Sequence, residues 1–167
     1  MKNLIFAFVL AALACGCSTQ KAVVKTPTFM NRVIAHRGAF KNTGAPENSI
    51  ASLKAAIAIG CGGTEFDIHM TSDEVLVVNH DPKFLGMEIE TNTYQQLLTK
   101  TLANGEKIPT LEAYLKEGYG QKKTIMVAEI KTSKISGRKI DCCILCGTVF
   151  ANVLGKEVTT PQLLTRI

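Results

Sequence analysis

Four short apolar runs, each ending in charged or imidazole-bearing residues, constrain the fold of this chain more than any other feature of its sequence. Residues 32–35 (RVIA) run into His36, Arg37 and Gly38. Residues 64–70 (TEFDIHM) alternate polar and apolar side chains, and residues 75–78 (VLVV) stop at Asn79, His80, Asp81 and Pro82. Residues 124–130 (TIMVAEI) lead into Lys131. Runs of this kind bounded by turn residues read as strands. After the first, Asn48 and Ser49 are helix-capping types, Ile50, Leu53 and Ile57 share one helical face, and Gly60 ends the helix. The order is β-α-β-β. The link Thr71-Ser72-Asp73 is far shorter than the roughly dozen residues a helical crossover takes, so the second and third strands form a hairpin.

Residues 83–108 are a polar excursion of mixed pattern. Pro109 and Thr110 then open a short helix that runs through Lys116 and Glu117 and is expected to stop at Gly118. From Gly137 the text changes: residues 140–154 are apolar without a clear period and hold half the cysteines. Residues 137–167 are therefore left as an unassigned, atypical tail.

At the other end, Met1 and Lys2 precede an apolar run over residues 4–14, too short for the roughly 20 residues that span a bilayer. Small residues and cysteines follow in ALACGCS, so residues 1–17 read as an export signal of lipoprotein type. Cys17 is the expected acylated residue, with Cys15 the alternative, and residues 18–31 form a tether. The expected location is the periplasm, or the outer membrane or cell surface of a bacterium, with membrane contact only through the lipid.

The net charge of +5 tempts a nucleic-acid reading, yet residues 26–136 hold twelve basic and twelve acidic side chains. The excess lies at the two ends, without the Lys/Arg stripe that neutralises a phosphate backbone, so nucleic acid is excluded. Cys142, Cys143 and Cys146 form one CCxxC cluster, short of the four ligands of a structural zinc site. Cys61 reads as a small residue near a helix end.

In an α/β sheet or barrel the C-terminal strand ends line the site. Side chains at i and i+2 share a strand face, so Glu65 points with Asp67, and Glu129 with Lys131. Three carboxylates on converging strands suit a hard divalent ion, Ca²⁺ or Mg²⁺. His36 and His80 supply an acid and a base near neutral pH, and Arg37 and Lys131 an anion clamp. Metal, acid/base pair and clamp together describe hydrolysis of a phosphate ester. Singly, each feature is ordinary for a strand end; their joint occurrence carries the reading. His69 is in phase with Glu65 and Asp67, but with an acid and a base already present it is assigned a rim or structural role. Asp73 and Asp81 are read as loop-fixing residues.

AHRG at 35–38, PENS at 46–49, EFDIHMTSDEVLVVNHD at 65–81, PTLEAYL at 109–115 and EIK at 129–131 resemble the glycerophosphodiester phosphodiesterase family. The resemblance covers residues 32–136 and implies a TIM-type (β/α)₈ barrel with a small subdomain, here residues 83–108, inserted after the third strand. It implies hydrolysis of deacylated phospholipids, such as glycerophosphocholine or glycerophosphoethanolamine, to glycerol 3-phosphate and an alcohol. His36 and His80 match the family's catalytic histidines, Glu65, Asp67 and Glu129 its metal ligands, and Arg37 and Lys131 its phosphate contacts. Only four of the eight strands are legible, so the expectation is about the first half of a barrel followed by a foreign ending. Four strands cannot close, and these residues alone are expected to lack activity. The alternatives are a phospholipase D-like lipid phosphodiesterase and a non-catalytic surface lipoprotein. Against the latter, a binding remnant has no need of both imidazoles.

Overall fold

The computed structural model describes residues 31–135, 137–154 and 163–166. The expected export signal, Cys15, Cys17 and all of the tether but Asn31 lie outside the described residues. Strand β1 (Ile34–Ala35) is followed by helix α1 (Ile50–Ile59), strand β2 (Gly63–Met70) and strand β3 (Leu76–Val78). A two-stranded hairpin, β4 (Lys83–Phe84) and β5 (Met87–Glu88), and a single turn, α2 (Tyr94–Leu97), come next. Helix α3 (Leu111–Tyr119), strand β6 (Ile125–Ile130), helix α4 (Arg138–Leu154) and strand β7 (Leu163–Arg166) complete the order.

The main sheet runs β1-β2-β6-β7, all parallel, with β3 antiparallel to the end of β2. The hairpin expected at Thr71–Asp73 is present. Phe66, Ile68 and Met70 alternate onto one face of β2, where they pack with Leu53 of α1, Tyr114 and Leu115 of α3, and Met126, Ala128 and Ile130 of β6. Each such side chain, buried fully, contributes roughly 1.5–3 kcal/mol, and this layer fixes which face of β2 is left for the site. The expected small subdomain has a core of its own: Phe84, Ile89, Leu97 and Ile108 close over Val77.

The structure corrects the reading in three places. The first strand is only Ile34–Ala35, because β2 offers partners to those two residues alone. Helix α3 passes through Gly118 and ends at Gly120. A Cβ on Gly118 would lie 2.3 Å from Met126 Sδ, so the missing side chain lets the helix lie on β6, and packing outweighs glycine's poor helix propensity. The largest correction concerns residues 137–167, left unassigned above. Residues 138–154 are a helix that buries Cys142, Cys146 and Phe150 in the main core, and β7 then pairs in parallel with β6. The chain thus continues the β/α alternation after residue 136. The cysteines of the CCxxC cluster serve here as small apolar residues, and among the described residues none joins a group of potential metal ligands.

Candidate active site

Strand β2 organises the site. Along one edge its start pairs with β1 and its end with β3, while β6 occupies the other edge from Gly63 to Ile68. Residues 65–67 therefore face a gap in the ladder, and loops fill it. Gly38 N–H donates to Glu65 O at 3.2 Å, and Asn79 N–H donates to Asp67 O at 3.1 Å. Asp67 N–H donates to Asn48 Oδ1 at 3.2 Å. The loops carrying His36 and His80 are in this way tied to the backbone of the two acidic residues.

Glu65 and Asp67 share a face of β2, and the register sets Asp67 opposite Glu129. One oxygen from each of Glu65, Asp67 and Glu129 lies within 4.8 Å of the others. Lys131 reaches back between them, its Nζ 2.7 Å from both Asp67 Oδ1 and Glu129 Oε1. Burial works against its charge, but the bonds to Asp67 and Glu129 outweigh it and hold the ammonium above its ordinary range. Burial pushes the Glu65 carboxyl above its ordinary range, opposed by the Arg37 N–H and assisted by the Asp67 charge. Glu65 Oε2 accepts from Arg37 N–H at 2.9 Å, whereas Oε1 is buried with no hydrogen-bond partner. A buried carboxylate oxygen without a partner is costly, and here it stands within a set of hard oxygen donors. The residues present thus fit a divalent cation.

Arg37 has a left-handed backbone (φ 56°) and turns its guanidinium inward, 3.1 Å from Glu47 and, through Nε, 3.9 Å from Asp67 Oδ2. Gly38 follows at φ 79°, where a Cβ would meet Ser52 Oγ at 2.3 Å and the Ser52 backbone at 2.8 Å, so the loop can press onto α1 only with glycine. His36 is 68% exposed, its Nε2 3.9 Å from Glu65 Oε2. His80 sits at the end of β3 with Nδ1 2.8 Å from Asp81 Oδ1. A carboxylate only accepts, so Nδ1 donates, and the neutral ring presents Nε2 as an acceptor.

His36, Arg37, Glu65, Asp67, His80, Glu129 and Lys131 all lie at this end of the sheet. Four others escaped that reading. Asn48, expected as a cap, leaves that task to Ser49 and bonds Asp67 instead, because its left-handed φ of 54° turns it inward. Glu47 pairs with Arg37, and Glu106 accepts from the N–H groups of Ile50 and Ala51. Asp81 orients His80, a role that its adjacency could have suggested. His69 is buried and donates from Nε2 to the His80 carbonyl at 3.1 Å, which gives its structural role a definite object.

Burial holds the His69 imidazole below its ordinary value of 6.5 against the opposing pull of its bond to His80. The unfolded chain therefore binds this proton more readily than the folded one. The stability involved is present above about pH 6.5 and is lost as pH falls below it. Between pH 8 and pH 5 the wild type is expected to lose melting temperature relative to His69→Gln, which keeps a donor for the carbonyl and does not titrate.

Residues 36–146, well over half of the chain, match the glycerophosphoryl diester phosphodiesterase family. The chain belongs to this family. A glycerophosphodiester phosphodiesterase of Caldanaerobacter subterraneus is 53% identical over 49 residues, which are 29% of this chain and 19% of that protein. The crystal structure of a glycerophosphodiester phosphodiesterase from Parabacteroides distasonis superposes with a TM-score of 0.73 at 40% identity, covering 81% of this chain and 55% of that one. A phosphodiesterase from Oleispira antarctica, solved with its product sn-glycerol 3-phosphate, gives 0.64 at 25% identity, covering 80% and 56%. The chain thus spans about half the length of these solved relatives. The main sheet and the helices packed on it are part of the family's TIM-type barrel.

Proposed function

We propose that the protein carrying these residues hydrolyses glycerophosphodiesters with the aid of one divalent cation, Ca²⁺ or Mg²⁺. The observation that carries the proposal is the trio of Glu65, Asp67 and Glu129, whose oxygens meet within 4.8 Å beside Lys131 and Arg37. Glu65, Asp67 and Glu129 would hold the cation, which when bound supplies Lewis-acid polarisation of a phosphoryl oxygen. Lys131 and Arg37 add fixed positive charge for the phosphate. His80 takes a proton at Nε2, and His36, on the exposed side of Glu65, delivers one to the leaving alcohol. Water adds its oxygen to phosphorus, the bond from phosphorus to the headgroup oxygen breaks, and glycerol 3-phosphate and an alcohol are released.

The test is release of glycerol 3-phosphate and choline from glycerophosphocholine with Ca²⁺ or Mg²⁺ present, and its loss on chelation. Undiminished turnover after exhaustive chelation would remove the metal from the mechanism. Turnover of a lysophospholipid instead would favour the phospholipase D-like alternative, and saturable binding without turnover a non-catalytic lipoprotein. Export and acylation at Cys17 belong to the same proposal, and mass spectrometry of the mature N-terminus decides them.

A further inference from the structure

Asn48 is 2% exposed, and nothing in the capping of α1 requires it, since Ser49 and Ser52 form the capping box there. Its side chain instead makes two bonds to one residue. Nδ2 donates to Asp67 Oδ2 at 2.8 Å, and Oδ1 accepts from Asp67 N–H at 3.2 Å. We infer that Asn48 is a positioning residue for the cation site, clamping the Asp67 carboxylate in the orientation that brings it to Glu65 and Glu129. The inference rests on the reading of those carboxylates as a cation site.

Three facts support a clamp rather than incidental packing. First, Asp67 is 1% exposed and lies within 4.8 Å of two further carboxylates, so an unrestrained side chain would turn away from them. Asn48 holds one of its oxygens and Lys131 the other, which leaves the group no free rotation. Second, asparagine is the side chain the position needs. It offers a donor for Oδ2 and an acceptor for the N–H within one amide plane, and it tolerates the left-handed φ of 54° found there. Aspartate would lose the donor and add a further negative charge. Third, Asn48 is itself pinned. Its N–H donates to Arg37 O at 2.9 Å, and Glu47 beside it pairs with the Arg37 guanidinium. Just beyond, Glu106 of the inserted segment accepts from Ile50 N–H at 3.0 Å and Ala51 N–H at 3.1 Å, fixing the start of α1. The insertion thereby supports the cation site without touching it.

The experiment is calorimetric titration of Mn²⁺ into the full chain and into Asn48→Gly, Asn48→Asp and Ser52→Ala, with melting curves of each in chelator. Glycine keeps the left-handed backbone and removes only the clamp, and its Kd is expected to weaken by about 10- to 100-fold, the usual cost of losing a group that orients a metal ligand. Asn48→Asp keeps size and backbone preference, so it guards against an unfolded glycine variant. It is expected to bind at least about threefold more weakly, although its added charge alone would tighten cation binding. Ser52→Ala disturbs the same loop without touching Asp67, and is expected to lower the melting temperature while leaving the Kd unchanged. Wild-type Kd values in the folded Asn48 variants would overturn the clamp. Absence of Mn²⁺ uptake by the wild-type chain would overturn the cation reading and the clamp with it.

Discussion

Glu65→Gln is expected to leave the metal-free chain as stable as before or more so, and at the same time to abolish its stabilisation by divalent cations. The two halves have one cause. Burial raises the Glu65 carboxyl above its ordinary range, so the folded state favours its protonated form. Stability from such a group is complete below the unfolded value of 4.5 and is lost as pH rises through the folded value. At neutral pH the ionised side chain therefore works against folding, with the neighbouring Asp67 charge adding to the penalty. Glutamine keeps the shape and an acceptor for the Arg37 N–H while removing the charge. A cation bound at about 100 times its Kd stabilises by roughly 2.7 kcal/mol. For a chain of this size that is a rise in melting temperature of about 5–10 °C. Differential scanning calorimetry with and without saturating Ca²⁺ or Mg²⁺ would show the rise in the wild type and none in Glu65→Gln. Asp67→Ala is a poorer test, because it leaves Lys131 and Asn48 without their buried partner. A Glu65→Gln chain that still gained several degrees from the cation would exclude Glu65 as a ligand.

The site was more legible in the sequence than the fold around it. Glu65 and Asp67 two residues apart, and Glu129 and Lys131 likewise, need only the strand period of two to be placed on common faces, and the parallel register then aligns Asp67 with Glu129. Helix α4 was illegible for a physical reason. Its buried stripe of Cys142, Cys146 and Phe150 keeps helical spacing, but Ile144, 63% exposed, puts an apolar residue on the outer face and blurs the period. Asn48 was misread because asparagine suits both a cap and a left-handed turn. Which of the two it serves depends on Asp67, nineteen positions away along the chain. Glu106 gave no local signal at all, since its partners at Ile50 and Ala51 lie more than fifty positions earlier.

In a complete barrel carrying these residues, His80→Ala and His36→Ala are each expected to lower kcat for glycerophosphocholine by roughly 10²–10⁴-fold, the usual contribution of a positioned acid or base. KM should move little, because neither ring holds the phosphate in the proposed arrangement, and loss confined to kcat marks an interaction made in the transition state. Cation-dependent stabilisation should persist in both variants, which separates proton transfer from damage to the metal site. The two rings are expected to differ with the leaving group. His80 donates from Nδ1 to Asp81, so its Nε2 is an acceptor suited to the attacking water, whereas His36 stands exposed beside Glu65. A substrate whose leaving group is p-nitrophenolate needs no proton on departure. With it, the His36→Ala defect should shrink to a few-fold while the His80→Ala defect stays. Equal rescue of both variants would reverse or dissolve this division of roles, and a rate within a few-fold of wild type for either variant on glycerophosphocholine would remove that histidine from proton transfer altogether.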